Sequence, residues 1–153
     1  MKNIHYGKFF ILFVLLFGMV NNTYASNDIT IAQGYIKASI PGSNITAAYM
    51  TISNPTDKEI TLQKITSTLS DRIEIHEHSM ADGMMRMREV GKVIIAANSK
   101  VVLQPSGLHL MVFSLKQQIT EQDVIPFTLY FSNKTQVTIQ LPVYKYHIKV
   151  QYQ

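Results

Sequence analysis

The sequence predicts an all-β fold built as two facing sheets, and three observations predict it. After residue 28, apolar and polar residues alternate at a period of two in one short segment after another, which is the pattern of a strand with one buried face. Between these segments stand groups of Pro, Gly, Asn, Asp and Ser suited to tight reversal or positive φ. Hydrophobic residues make up 46% and charged residues 16%, a balance that fills a core and does not suit a disordered chain. A length of 153 residues fits one domain.

In chain order the first element is a leader. Lys2 and Lys8 precede the apolar run from Phe9 to Val20, followed by polar Asn21-Asn22-Thr23 and the small Ala25. Twelve residues at 1.5 Å each cover about 18 Å, short of a hydrocarbon core of about 30 Å, so this is expected to be a secretory signal peptide cut after Ala25 and not an uncleaved anchor. Loss of Lys2 and Lys8 lowers the formal charge from +4 to +2. The remaining basic residues are scattered, so neither nucleic acid nor stable membrane insertion is expected of the mature chain.

Strands are expected at 29–38, 46–53, 60–67, 72–78, 84–89, 93–95, 100–103, 108–115, 125–131 and 136–141. Each is bounded by a turn signal such as Pro41-Gly42-Ser43-Asn44, Ala81-Asp82-Gly83 or Pro105-Ser106-Gly107. A single open sheet of so many strands leaves an apolar face wet, whereas a Greek-key sandwich buries it. Beyond Pro142, alternation from Tyr144 to Tyr152 predicts one further strand, completing the sandwich or offered as an edge to a partner.

Cysteine is absent. That excludes disulfides, a cysteine-linked lipid, thiol nucleophiles and thiolate copper sites. No Ser/His/Asp order or paired carboxylates stand out, so no enzymatic activity is expected.

Methionine is where the composition departs from a plain β-domain. Met80, Met84, Met85 and Met87 fall within eight residues. Clustered Met alone is consistent with core packing, but the histidines change the reading. In Leu108-His109-Leu110-Met111-Val112, alternation sends the leucines and valine to the core and His109 with Met111 to the outward face. In the strand from Arg72 to His78, Glu74, His76 and His78 face outward by the same rule, and Met85 and Met87 share a face opposite Arg86 and Arg88. The short turn at Ala81-Asp82-Gly83 allows His76 and Met87 to approach on a hairpin. Thioether and imidazole without thiolate select Cu(I) over zinc. The expected ligands are His76, Met87, His109 and Met111, holding one Cu(I) per chain. His78 and Met80 are candidate auxiliary ligands, with His78 equally placed to be a solvated strand residue. Glu74 is a candidate acceptor that orients His76, and Tyr49 and Met50 read as core.

The spacing His76, ten residues, Met87, twenty-one residues, His109, one residue, Met111 resembles the H-x10-M-x21-H-x-M motif of the periplasmic PCu(A)C copper chaperone family. The segments Ala47 to Asn54, Ile75-His76-Glu77, Gly83 to Arg88 and Gly107 to Met111 resemble family segments in the same order, over about residues 35 to 142. The resemblance implies a cupredoxin-like sandwich, a periplasmic location, and delivery of Cu(I) to a haem-copper oxidase subunit such as that of cytochrome c oxidase, or to another copper chaperone. Storage or sequestration of copper, and a non-metal structural sandwich, are the alternatives. Some family members place Met directly after the first His, where this chain has Glu77, and some carry a His/Met-rich tail, where this chain has only His147.

Overall fold

The computed structural model describes residues 28–81 and 83–145. The expected leader and the tail from residue 146 lie outside the described residues. Among the described residues there are ten strands and no helix: β1 (Thr30–Lys37), β2 (Thr46–Asn54), β3 (Ile60–Ser67), β4 (Arg72–Ala81), β5 (Met84–Glu89), β6 (Val93–Ile95), β7 (Ser99–Leu103), β8 (Leu108–Phe113), β9 (Val124–Phe131) and β10 (Gln136–Tyr144).

One sheet runs β5-β4-β8-β2-β1, with β7 continuing beside β2 past the end of β8, and the other runs β10-β9-β3-β6. A short parallel contact between β1 and β10, Ile36 opposite Val143 and Lys37 opposite Tyr144, joins the two. The chain crosses from one sheet to the other at β2–β3 and again at β3–β4, as a Greek-key sandwich does. The inner faces meet in one apolar cluster: Ile36, Met50, Leu103, Leu110 and Val112 from the first sheet, and Leu62, Ile95, Phe127, Leu129 and Leu141 from the second. Each such side chain contributes about 1.5–3 kcal/mol by leaving water. With no cysteine in the chain, this burial is the main source of stability.

Two departures from the expected elements have physical causes. The terminal strand does not stop before Pro142: β10 runs through it to Tyr144, with Pro142 opposite Val124 at the end of the β9–β10 ladder. There a missing N–H is tolerated, and Val143 N–H resumes by donating to the Asp123 carbonyl. The second is a bulge in β1, where the pairing with β2 slips between Ala32 and Tyr35 and Gln33 takes φ 54°. The extra residue inverts the side-chain alternation in the remainder of the strand. Ile36 thereby turns into the core and Tyr35 to the outer face, opposite Tyr49. Gly34 permits this because a Cβ there would lie 2.5 Å from Leu141 Cδ2.

Candidate metal centre

The four expected ligands share the outer face of the first sheet. On β4 and β8 the register places His76 directly opposite His109, Glu74 opposite Met111 and Arg72 opposite Phe113. Met111 is therefore one diagonal step from His76. On β4 and β5 the register places His78 opposite Met87 and Glu89 opposite His76. Met87 is thus the hairpin neighbour of His78, with His76 on the diagonal. The geometry brings His76 and His109 together, with ring centroids 6.1 Å apart, and sets Met111 and Met87 on opposite flanks of the pair.

The outward face proves to be covered at its centre. His109 is 4% exposed, because Tyr49 from β2 lies 6.4 Å from it on one side and His78 5.0 Å from it on the other, centroid to centroid. Tyr49 is buried, as expected, but it packs on this face and not between the sheets. Tyr35 and then Tyr144 stack behind it at 5.0 and 5.6 Å, and Lys37 Nζ lies 5.3 Å from the Tyr49 ring centroid. Met111 is half-buried, whereas Met87 is 48% exposed at the rim. The centre of the face thus holds a buried imidazole at His109, and its rim an accessible thioether at Met87.

Hydrogen bonds fix the tautomers of the two facing rings. His76 Nε2–H donates to Glu74 Oε2 at 2.8 Å, since a carboxylate only accepts, which leaves the lone pair on Nδ1. His109 Nδ1–H donates to the Gly107 carbonyl at 3.0 Å, leaving the lone pair on Nε2. His76 Nδ1 is buried with no hydrogen-bond partner, and so is His78 Nδ1. Buried nitrogens without partners are costly in a finished core and suit a site that receives a further atom. Donation of the second ring N–H to a carboxylate or carbonyl is the usual support of a metal-binding histidine.

The electrostatics favour a neutral ring at His109. Burial pushes His109 below the ordinary imidazole value, with His78, His76 and Lys37 adding to the shift and the Gly107 hydrogen bond opposing it. The hydrogen bonds from His76 and then Arg72 hold the Glu74 carboxyl below its usual range, and Arg72 Nε donates to Glu74 Oε1 at 2.6 Å. Among the described residues, no three His, Asp or Glu side chains form a cation site by themselves. Met111 and Met87 offer thioether sulfurs on the same face, a donor type that favours soft ions.

Glu74 takes the orienting position that its spacing suggests. His78 is half-buried within the cluster and not a solvated strand residue. Side-chain pattern does not signal the Gly107 carbonyl, although the Pro105-Ser106-Gly107 turn marks where such a backbone acceptor stands.

Comparison with known proteins places the chain among relatives. The LpqE-like lipoprotein family matches residues 29–143. A protein of Leifsonia xyli subsp. xyli, named as a lipoprotein, is 27% identical over 119 residues, covering 77% of this chain and 70% of that protein. Among solved structures, the copper-bound PCuAC domain from PmoF2 superposes with a TM-score of 0.67 at 20% identity, covering 80% of this chain and 97% of that one. The solution structure of CuI-DR1885 from Deinococcus radiodurans superposes with a TM-score of 0.64 at 25% identity, covering 77% and 78%. The fold shared with the PCuAC domains is the cupredoxin-like β-sandwich.

Proposed function

This chain belongs to the LpqE-like, PCuAC family of copper chaperones, and from that premise we propose that it binds one Cu(I) through His76, Met87, His109 and Met111. The observation that carries the reading is the pair of facing histidines, His76 and His109, each with one nitrogen engaged by an acceptor two residues earlier in the chain and the other left as a lone pair. Two neutral imidazoles and two thioethers make a soft, uncharged donor set, which suits Cu(I) and disfavours zinc. Because no ligand is anionic, the ion is held less tightly than by thiolates and stays exchangeable, as a carrier requires.

Each residue has a distinct part. Glu74 and Gly107 aim the two rings. Tyr49 and His78 keep water from His109, while Met111 closes one flank. Met87, at the rim, is the most exposed of the four ligands. The role is binding and release without catalysis.

Delivery to a haem-copper oxidase subunit, or to another copper chaperone, completes the proposal, along with export to the periplasm and processing after Ala25. The leader-like run from Phe9 to Val20 and the relative named as a lipoprotein support export. The 153 residues contain no cysteine to carry a lipid. The test is to mix the Cu(I)-loaded chain anaerobically with a copper-free oxidase copper domain and follow the metal-centre absorption of the acceptor after separation. Transfer within minutes supports delivery. Retention of copper by the chain argues for storage or sequestration instead.

A further inference from the structure

Three methionines of the β4–β5 hairpin lie outside the proposed ligand set and are exposed beyond any packing need: Met80 by 68%, Met84 by 56% and Met85 by 66%. Every residue of β5 is exposed, and β5 ends its sheet, so these side chains fill no gap in a core. An isolated exposed apolar residue needs no explanation, but a set of flexible thioethers on one edge does.

The register sorts them by face. Along β4 and β5 the opposed pairs are His76 with Glu89, His78 with Met87, Met80 with Met85, and Ala81 with Met84. Alternation puts the first three pairs on the face of the candidate centre, and Met84 with Arg86 and Arg88 on the reverse face. Met80 and Met85 therefore form the next rung beyond His78 and Met87, displaced along the strands by about 7 Å. Directly opposed side chains in an antiparallel pair have Cβ atoms about 4.5–5.5 Å apart, close enough for two thioethers to grip one ion.

We infer that Met80 and Met85 form a second, weaker Cu(I) station through which the ion reaches and leaves the buried histidines. The inference rests on the Cu(I) reading above. The ion first meets the two exposed thioethers, then passes to the His78 and Met87 rung, and then to His76 and His109. Copper stays Cu(I) throughout: each step forms one Cu–S or Cu–N bond as another breaks, and no electron or proton is transferred. The half-buried His78 supplies the bridging donor, since its Nδ1 is buried with no hydrogen-bond partner. A relay of this kind speeds loading and release alike and leaves the equilibrium constant of the inner site unchanged.

The test uses the purified chain carrying one equivalent of Cu(I), with removal by a chromophoric Cu(I) chelator followed anaerobically by stopped flow and affinity taken from equilibrium competition. Leucine replaces methionine with little change in volume and keeps the surface apolar. In the Met80→Leu/Met85→Leu double variant, removal is expected to slow by about fivefold or more while the affinity stays within about twofold. Met84→Leu, on the reverse face, is expected to match the wild type. Unchanged rates in the double variant with tight binding intact overturn the relay and leave the inner site standing. Equal slowing by Met84→Leu also overturns it, since the effect then belongs to the exposed edge and not to the opposed pair. Absence of tight binding in the wild type overturns the relay and the inner site together.

Discussion

His76 and His109 stand opposite one another across the β4–β8 ladder, and each is held in one tautomer by an acceptor two residues earlier in its own chain segment, Glu74 for the first and Gly107 for the second. The arrangement leaves each of two neighbouring outward imidazoles with one nitrogen free of its supporting hydrogen bond. Their rings lie 6.1 Å apart between centroids, with a thioether on either flank.

Glu74 is the adjustable member of this pair of supports, because Gly107 acts through its backbone. A Glu74→Gln variant keeps the shape but replaces a charged acceptor by a weaker one. Cu(I) affinity is expected to fall by about tenfold, in the range usual for supports behind metal ligands. Competition with a chromophoric chelator at neutral pH measures it, and an unchanged affinity shows that Glu74 does not aim His76.

The His109 shift predicts a pH dependence of the metal-free chain with a definite sign. Burial, the main cause, holds the folded imidazole below its ordinary value of 6.5. As pH falls through that value, the unfolded chain takes up a proton that the folded chain refuses, so folding stability drops. The urea midpoint is expected to decline between about pH 7 and pH 5, and His109→Leu is expected to flatten this decline. An equal slope in the variant assigns the dependence to other groups.

Gly34 ties the core to the outer face. A Cβ at this position meets Leu141 Cδ2 at 2.5 Å inside the core, within the bulge that turns Tyr35 outward to stack on Tyr49. Gly34→Ala is expected to destabilise the fold by about 1–3 kcal/mol through overpacking. Urea unfolding gives the value, and a loss near zero means the bulge relaxes freely.

Much of this was legible in the sequence because a strand's side-chain period of two is rigid. Alternation alone put His109 and Met111 on one face and Leu108 and Leu110 on the other, and period-two segments located the ten strands to within a few residues. What alternation cannot reveal is what covers a face. Tyr49 reaches His109 from β2, far earlier in the chain, and reads as core in its own strand. Tyr35 joins it only because a bulge at Gln33 and Gly34 changes the phase of β1. The pairing of Met87 with His78 depends on the geometry of the hairpin turn, which residue spacing leaves open.

The proposed function stands or falls on whether His109 and Met87 hold one Cu(I) together with the residues around them. Anaerobic competition for Cu(I) against a chromophoric chelator decides it, run on the wild type, His109→Ala and Met87→Leu. Tight one-to-one binding is expected of the wild type, with loss of affinity of about tenfold or more in each variant as one soft donor is removed. Equal, weak competition by all three proteins would contradict the assignment.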